Sequence, residues 1–187
     1  PWMFFSSSVH DGSTAIIREK DMVKKIYFPR EVMPIATVTS GFVNMLLTFI
    51  VIFIVLIISG KGINPKALLC LPFVMIVEYI LCLGIAMIVA ALTVYFRDLQ
   101  YILGIFTMAL QYMTPVMYGS EMVPEWAMPI FQANPMTPII EMYRQILYYK
   151  EVPEMISLLY VLTLGIIFIV LGFVCFNKLQ KGFAENF

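Results

Sequence analysis

The stretch Val32–Gly60, VMPIATVTSGFVNMLLTFIVIFIVLIISG, decides the fold of this chain because it contains no charged residue. A helix crosses the hydrocarbon core of a bilayer with about 20 mostly apolar residues. The composition agrees, since 61% of the residues are hydrophobic and only 13% are charged. Soluble domains carry about 25% charged residues. The sequence therefore predicts a membrane protein.

Further apolar runs beyond this stretch predict more membrane-spanning helices. Including it, we expect four spans, over about Pro34–Ile58, Ala67–Phe96, Leu99–Tyr118 and Met155–Asn177. The segment Pro1–Ile17 is too short to span alone, and we interpret it as the cytoplasmic half of a helix whose first half is absent. We expect an all-α fold, a polytopic transmembrane helix bundle, in one domain over residues 1–187. Because the chain begins at Pro1 without an initiator Met, we also expect it to be a fragment.

The basic residues predict the orientation of the chain through the positive-inside rule. With the loop Arg18–Arg30 in the cytoplasm, eight basic residues lie inside and four outside, and the opposite orientation reverses these numbers. The first orientation is therefore predicted, and it places the C-terminus in the cytoplasm. The inside residues are Arg18, Lys20, Lys24, Lys25, Arg30, Arg97, Lys178 and Lys181, and the outside residues are Lys61, Lys66, Arg144 and Lys150.

The predicted outer loop Gly119–Glu154 contains five prolines, which exclude a long helix. We expect two short helices that lie in the outer interface or enter the membrane and return. One lies near Glu125–Ala133. The other begins with Thr137 as N-cap and Pro138 at the first helical position.

The second of these short helices has an amphipathic pattern. Its apolar face is expected to contain Ile139, Tyr143, Ile146 and Leu147, and its polar face Glu141, Arg144 and Gln145. Aromatic residues are enriched at membrane–water interfaces, where their rings lie at headgroup depth. The aromatic residues expected at that depth are Trp126, Tyr143, Tyr148 and Tyr149.

No motif for nucleotide binding or catalysis occurs in the sequence. The only Gly-Lys step, in Gly60–Gly62, lacks the upstream glycine and the following Ser or Thr of a P-loop. There is one histidine, and there is no HExxH motif and no serine elbow. Cys70, Cys82 and Cys175 lie inside apolar runs and are expected to pack rather than to form disulfides or bind metal. We predict that the chain is not an enzyme and has no catalytic, metal or cofactor site.

Glu78 is the one charged residue inside a predicted span. One interpretation is an ion or proton site that faces a cavity, because intramembrane carboxylates are costly and usually functional. The other is a hydrogen bond that packs one helix against another. The sequence leaves both open.

Three smaller patterns have structural interpretations. The pair Ala86-x3-Ala90 could seat another helix. The neighbours His10 and Asp11 favour a polar cap over an acid–base pair, since adjacent residues point to different faces of a helix. The hydroxyls of Ser6–Ser8 are expected to bond back to backbone carbonyls.

The basic and aromatic stretch Lys24–Arg30, KKIYFPR, has two interpretations. The first is a solvated loop that binds lipid headgroups. The second is a short docking helix that Asp21 caps and Pro29 ends. Its apolar face would suggest a contact with another protein, and that face would contain Met22, Val23, Ile26 and Tyr27.

Short motifs in one order across nearly the whole chain carry a family resemblance. They are Pro1–Ser6 (PWMFFS), Lys24–Glu31 (KKIYFPRE), Leu92–Leu99 (LTVYFRDL), Thr114–Tyr118 (TPVMY), Asn134–Met136 (NPM), the pair Tyr143–Arg144 and Gly182–Glu185 (GFAE). With these motifs the chain resembles the membrane-spanning permease of ABC-2 type exporters that move polysaccharides, namely lipopolysaccharide O-antigen, capsule and teichoic acid.

The resemblance implies six spans per subunit, so that the first span and part of the second are missing from this sequence. It also implies a homodimer of the permease that works with two separate P-loop ATPase subunits, which bind ATP and Mg. It places an ATPase-coupling helix in the loop between the second and third spans and an outer gate of re-entrant helices before the last span. The coupling-loop residues are Met22, Lys24, Lys25, Tyr27, Phe28, Pro29 and Arg30, and the gate-region residues are Trp126, Pro135, Tyr143 and Arg144.

The expected function is therefore ATP-driven export of a lipid-linked polysaccharide across the bacterial inner or plasma membrane. We expect the protein to contact membrane lipid and not to bind nucleic acid. One alternative is a gradient-driven secondary transporter or channel that uses Glu78. Another is a membrane-embedded transferase that acts on a lipid-linked sugar, but no catalytic set supports it. A neighbouring reading frame that encodes a P-loop ATPase would separate the first function from the other two.

Overall fold

Helices account for nearly all of the described chain in the structure, a computed structural model that describes residues 1–18, 29–59, 64–119, 122–124 and 128–183. No strand occurs within these ranges. The π-helical turn Gln145–Tyr149 follows Arg144, and the 3-10 turn Gln180–Gly182 follows Leu179. The α-helices are α1 (Trp2–Arg18), α2 (Val32–Ile58), α3 (Pro65–Tyr95), α4 (Leu99–Tyr112), α5 (Met128–Ala133), α6 (Met136–Arg144) and α7 (Met155–Leu179).

Three of the described helical segments are long and apolar enough to cross a membrane. They are α2, α3 and the segment Met155–Gly182, which is α7 with its terminal turn. The predicted all-α transmembrane bundle is therefore confirmed. α1 is helical as expected and, with 17 residues, is shorter than a typical span.

The prediction of a span over Leu99–Tyr118 is wrong in its length. α4 ends at Tyr112 after 14 residues, which is about 21 Å at 1.5 Å per residue. The hydrocarbon core is about 30 Å thick. Pro115 cannot donate to a helix and disfavours helical geometry at Thr114, so the uncharged run continues as turns.

α3 is the most buried of the three long helices and packs against α1, α2 and α7. Its contact with α7 is closest at Gly84, where an added Cβ would lie 2.5 Å from backbone atoms of Phe168 and Ile169. Gly172 of α7 approaches the carbonyl oxygen of Gly84 in return. Because small residues let helix backbones approach in membranes, this crossing holds α3 and α7 together tightly.

α1 reaches α3 through a second small-residue contact. A Cβ added to Gly12 would lie 2.8 Å from Cβ of Ala86. Ala86 and Ala90 are both fully buried. Ala86, the first residue of the predicted alanine pair, therefore packs directly against α1.

The second short outer helix begins earlier than predicted. α6 starts at Met136, so Thr137 and Pro138 lie inside its first turn rather than at its boundary. Pro135 occupies the N-cap position. The Oδ1 of Asn134, one residue before it, accepts a hydrogen bond from the backbone N–H of Met136 at 3.0 Å and so satisfies one of the free N–H groups at the start of the helix.

Two long-range hydrogen bonds join loops at opposite ends of the bundle. Arg30, before α2, donates to the carbonyl of Gln180, after α7. At the opposite end, Asn64 Nδ2 donates to the carbonyl of Lys150 at 2.8 Å. We refer to these ends as the Arg30 end and the Lys150 end.

The smaller patterns have mixed outcomes. Cys70, Cys82 and Cys175 are free thiols, as expected. Ser7 Oγ donates to the carbonyl of Phe4 at 3.0 Å, as expected for this run. Ser8 Oγ, in contrast, is buried without a hydrogen-bond partner in the part of the chain that the structure describes.

Candidate functional site

A groove of about 750 Å³ lies between α1 and α2. Its α2 side presents polar residues that recur every three or four positions and therefore share one helix face. These residues are Thr37, Ser40, Asn44 and Thr48. Asn44 lies near the middle of α2, a helix without charged residues. Polar side chains at that depth in a membrane contact another helix or a water-filled cavity rather than lipid.

The α1 side of the groove adds hydroxyl and charged groups. Ser7 and Ser8 line it, as do Asp11 and Arg18. Arg18 Nη2 lies 3.3 Å from Asp11 Oδ1, and both side chains are substantially exposed. The hydroxyls of Ser7, Thr37 and Thr48 donate to backbone carbonyls of their own helices, so they offer the groove acceptor lone pairs. The side-chain amide of Asn44 can both donate and accept hydrogen bonds.

Glu78 is fully buried in α3. Its contacts bear on the interpretation that it forms a hydrogen bond between packed helices. Tyr143 of α6 donates its Oη to Glu78 Oε2 at 2.7 Å. A hydrogen bond between packed helices is therefore present. The second carboxylate oxygen, Oε1, has no hydrogen-bond partner among the described residues.

Tyr143 is buried inside the bundle, with only 3% of its surface exposed, while Tyr148 and Tyr149 are exposed. Its ring packs against Phe49 of α2 with centroids 5.4 Å apart. Because its hydroxyl finds an acceptor in Glu78, Tyr143 can be buried at little cost in free energy.

Arg144 and Asn134 fasten α6 to the turns that follow α4. Arg144 Nη2 donates to the carbonyls of Pro115 at 2.8 Å and Tyr118 at 2.9 Å. Asn134 Nδ2 donates to Thr114 Oγ1 at 2.7 Å, and this pair is buried. Arg144, predicted on the polar face of this helix, is thus partly buried. It supplies hydrogen bonds to backbone carbonyls that lie in turns and have no partner within a helix.

Of the predicted gate-region residues, Pro135 directly precedes α6, while Tyr143 and Arg144 are its last two residues. Trp126 lies outside the described residues. The sequence missed Thr114, Asn134 and Glu78 as partners of this region. Only the TPVMY and NPM motifs pointed to the first two, and nothing in the sequence paired Glu78 with Tyr143.

Most of the predicted coupling loop, namely Met22, Lys24, Lys25, Tyr27 and Phe28, lies outside the described residues. Its last two residues, Pro29 and Arg30, are described, and Arg30 belongs to a cluster at the Arg30 end of the bundle. The Arg30 guanidinium lies 5.8 Å from the ring centroid of Phe183, within the range of a cation–π contact.

The rest of this cluster joins α3 to α7. Tyr95 Oη donates to the carbonyl of Leu179 at 2.8 Å. Phe183 is fully buried, with its ring centroid 5.6 Å from that of Phe176 and 6.2 Å from that of Tyr95. We call Arg30, Tyr95, Phe176 and Phe183 the junction cluster. The sequence pointed to Phe183 only through the GFAE motif and missed the cluster.

Comparisons with known proteins identify the family of this chain. The sequence profile of the ABC-2 type transporter family matches residues 2–148. Two O-antigen export system permease proteins RfbA from Klebsiella pneumoniae are each 33% identical over 99% of this chain and 71% of their own length. The protein of the same name from Myxococcus xanthus is 28% identical over 100% of this chain and 72% of its own length.

Among the described residues, no group of three or more His, Cys, Asp or Glu side chains is placed to hold a metal ion. The long apolar helices, the family match over most of the chain and the relatives at 33% identity agree with one another. The chain is a multi-pass membrane protein that belongs to the family of ABC-2 type transporters.

Proposed function

We propose that this chain is the membrane-spanning permease subunit of an ATP-driven ABC exporter that moves a lipid-linked polysaccharide outward across the bacterial inner or plasma membrane. The observation that carries the proposal is the match to O-antigen export permeases along nearly the whole chain. O-antigen is the first candidate substrate, and capsule and teichoic acid are the others.

In this proposal the chain itself supplies no catalytic, metal or cofactor site. A separate P-loop ATPase binds ATP and Mg and docks on the loop that ends at Arg30. Two copies of the permease form the exporter, with the Arg30 end and the C-terminus in the cytoplasm. The excess of basic residues in the loops at the Arg30 end supports this orientation.

The polar groove between α1 and α2 supports a path for a hydrated substrate. Its hydroxyl and amide groups lie on a helix whose other faces are apolar and exposed, as at Val43 and Leu47. A glycan exchanges hydrogen bonds with water for bonds with such groups at little net cost. Phe4 and Phe49 also border the groove and offer ring surfaces to sugar faces.

A gradient-driven transporter remains the second candidate because Glu78 is a buried carboxyl with one unbonded oxygen. Its other oxygen, however, is held by Tyr143, which belongs to a different helix. A hydrogen bond that positions α6 explains the burial of Glu78 without a moving ion, so the ATP-driven function is favoured.

Co-purification of the ATPase tests the proposed function. The permease is tagged and expressed with the P-loop ATPase encoded beside it, and the parent is expected to retain that ATPase in detergent. The double change Tyr27→Ala and Phe28→Ala is expected to lower the bound ATPase and to uncouple ATP hydrolysis from export, with normal membrane insertion. Phe96→Ala is the control, since Phe96 is exposed and lies next to Tyr95 at the same end. A double variant that binds the ATPase and exports glycan like the parent would remove the docking role.

A further inference from the structure

The junction cluster lies where the loop before α2 meets the ends of α3 and α7. Arg30 makes two contacts there, the hydrogen bond to the carbonyl of Gln180 and the cation–π contact with Phe183. Both partners follow α7. Arg30 is therefore bonded to a part of the chain 150 residues away in sequence.

Phe183 in turn packs against the two other residues of the junction cluster. It is fully buried between the rings of Tyr95 and Phe176. Tyr95 in turn donates to the carbonyl of Leu179, so α3 is tied to α7 at the same level. Displacement of Arg30 would have to displace Phe183, and Phe183 cannot move without its aromatic neighbours because packed interiors have little free space.

α3 connects this end of the bundle to the outer region. Glu78 lies 17 residues before Tyr95 on the same unbroken helix, or about 26 Å away along its axis. Glu78 holds Tyr143 of α6, and the close glycine crossing fixes α3 to α7 between these two points. A continuous chain of packed and hydrogen-bonded groups thus runs from Arg30 to α6.

We infer that Arg30 is a positioning residue that transmits movement of the cytoplasmic loop to α3 and α7, and through Glu78 and Tyr143 to the outer helix α6. This inference rests on the proposed function, because an ATPase on the loop supplies the movement. A contact chain alone does not demonstrate coupling, so the test must measure coupling directly.

The test compares substitutions at Arg30 with one at Arg97. Arg97 is exposed and lies close behind Tyr95 in sequence, so Arg97→Ala removes a charge at the same end without touching the cluster contacts. The permease–ATPase complex is reconstituted, and bound ATPase, ATP hydrolysis and ATP-dependent glycan transport are measured for each variant. The readout is the number of ATP molecules hydrolysed per glycan transported.

Arg30→Ala is expected to raise the number of ATP molecules hydrolysed per glycan transported at least tenfold, because transport falls much more than ATP hydrolysis by the bound ATPase. Arg30→Lys keeps the charge but loses the planar group that stacks on Phe183, and it is expected to recover only part of the transport. Arg97→Ala is expected to behave like the parent. Parent-like transport by Arg30→Ala, at equal protein level, would overturn the inference.

Phe183→Leu provides a second route if Arg30→Ala accumulates poorly. Leucine keeps an apolar side chain in the cluster but removes the ring on which Arg30 stacks. It is expected to uncouple transport. The double variant Arg30→Ala and Phe183→Leu should lose less than the sum of the two single losses, because both changes remove the contact between Arg30 and Phe183. Additive losses would contradict the inference. Failure of the parent to bind the ATPase would instead defeat the proposed function, and the inference with it.

Discussion

Tyr143 donates its hydroxyl to the buried carboxylate of Glu78 at 2.7 Å, and this bond joins the short outer helix α6 to the long helix α3. It gives the one acidic residue of α3 a structural role. It also anchors α6, which Arg144 and Asn134 fasten to the turns after α4.

We expect Glu78→Gln to have little effect on export, because the amide oxygen of Gln can still accept from Tyr143. Tyr143→Phe should cost more, about 1–3 kcal/mol of stability, because it leaves a buried acceptor without its donor. Thermal unfolding in detergent and glycan display at equal protein level measure the two effects. Loss of export in Glu78→Gln, with uncoupler sensitivity of the parent at constant ATP, would favour the gradient-driven candidate.

The glycine crossing predicts opposite effects of two Gly→Ala changes. Gly84→Ala should destabilise the protein by about 1–3 kcal/mol or more, because the new Cβ would lie 2.5 Å from the backbone of α7. Gly104→Ala is the matched control in α4, where nothing lies within 4 Å of the added Cβ. It should be neutral or stabilise by up to about 1 kcal/mol through helix propensity. Equal melting temperatures for the two variants would disprove the close crossing.

The sequence predicted the three long helices because each is a long apolar run that only a membrane can accommodate. It failed at α4, since absence of charge does not specify where a helix ends, and Thr114–Pro115 ends this one. It also missed the junction cluster and the Glu78–Tyr143 bond. The hydrogen bonds Tyr143–Glu78 and Arg30–Gln180 join residues 65 and 150 positions apart, and no local pattern encodes such pairings.

The groove predicts that water reaches the face of α2 that contains Asn44 and does not reach the adjacent face that contains Leu47. In a background without the native cysteines, Asn44→Cys should react with a small water-soluble thiol reagent, since Asn44 lines the groove. Leu47→Cys is the control, because Leu47 is 56% exposed on an apolar surface that would face lipid. Equal labelling of the two positions would argue against a hydrated path along this face.

The two ends of the bundle predict a sidedness that impermeant thiol reagents can measure on intact cells. Lys66 and Lys178 are both exposed. Lys66 lies in the first turn of α3, at the Lys150 end, and Lys178 lies in the last turn of α7, at the Arg30 end. Lys66→Cys should be labelled from outside and Lys178→Cys only after the cells are opened. The reverse result would invert the orientation, and with it the side on which the ATPase docks.

ATP-driven transport in sealed inverted membrane vesicles tests the central claim most directly. The vesicles carry the permease with its neighbouring ATPase, and accumulation of the lipid-linked glycan inside is measured with ATP, without ATP, and with ATP plus a proton uncoupler. We predict accumulation that requires ATP, survives the uncoupler and disappears when the ATPase carries a substitution in its P-loop lysine. Accumulation that continues without ATP hydrolysis and collapses with the uncoupler would contradict an ATP-driven exporter.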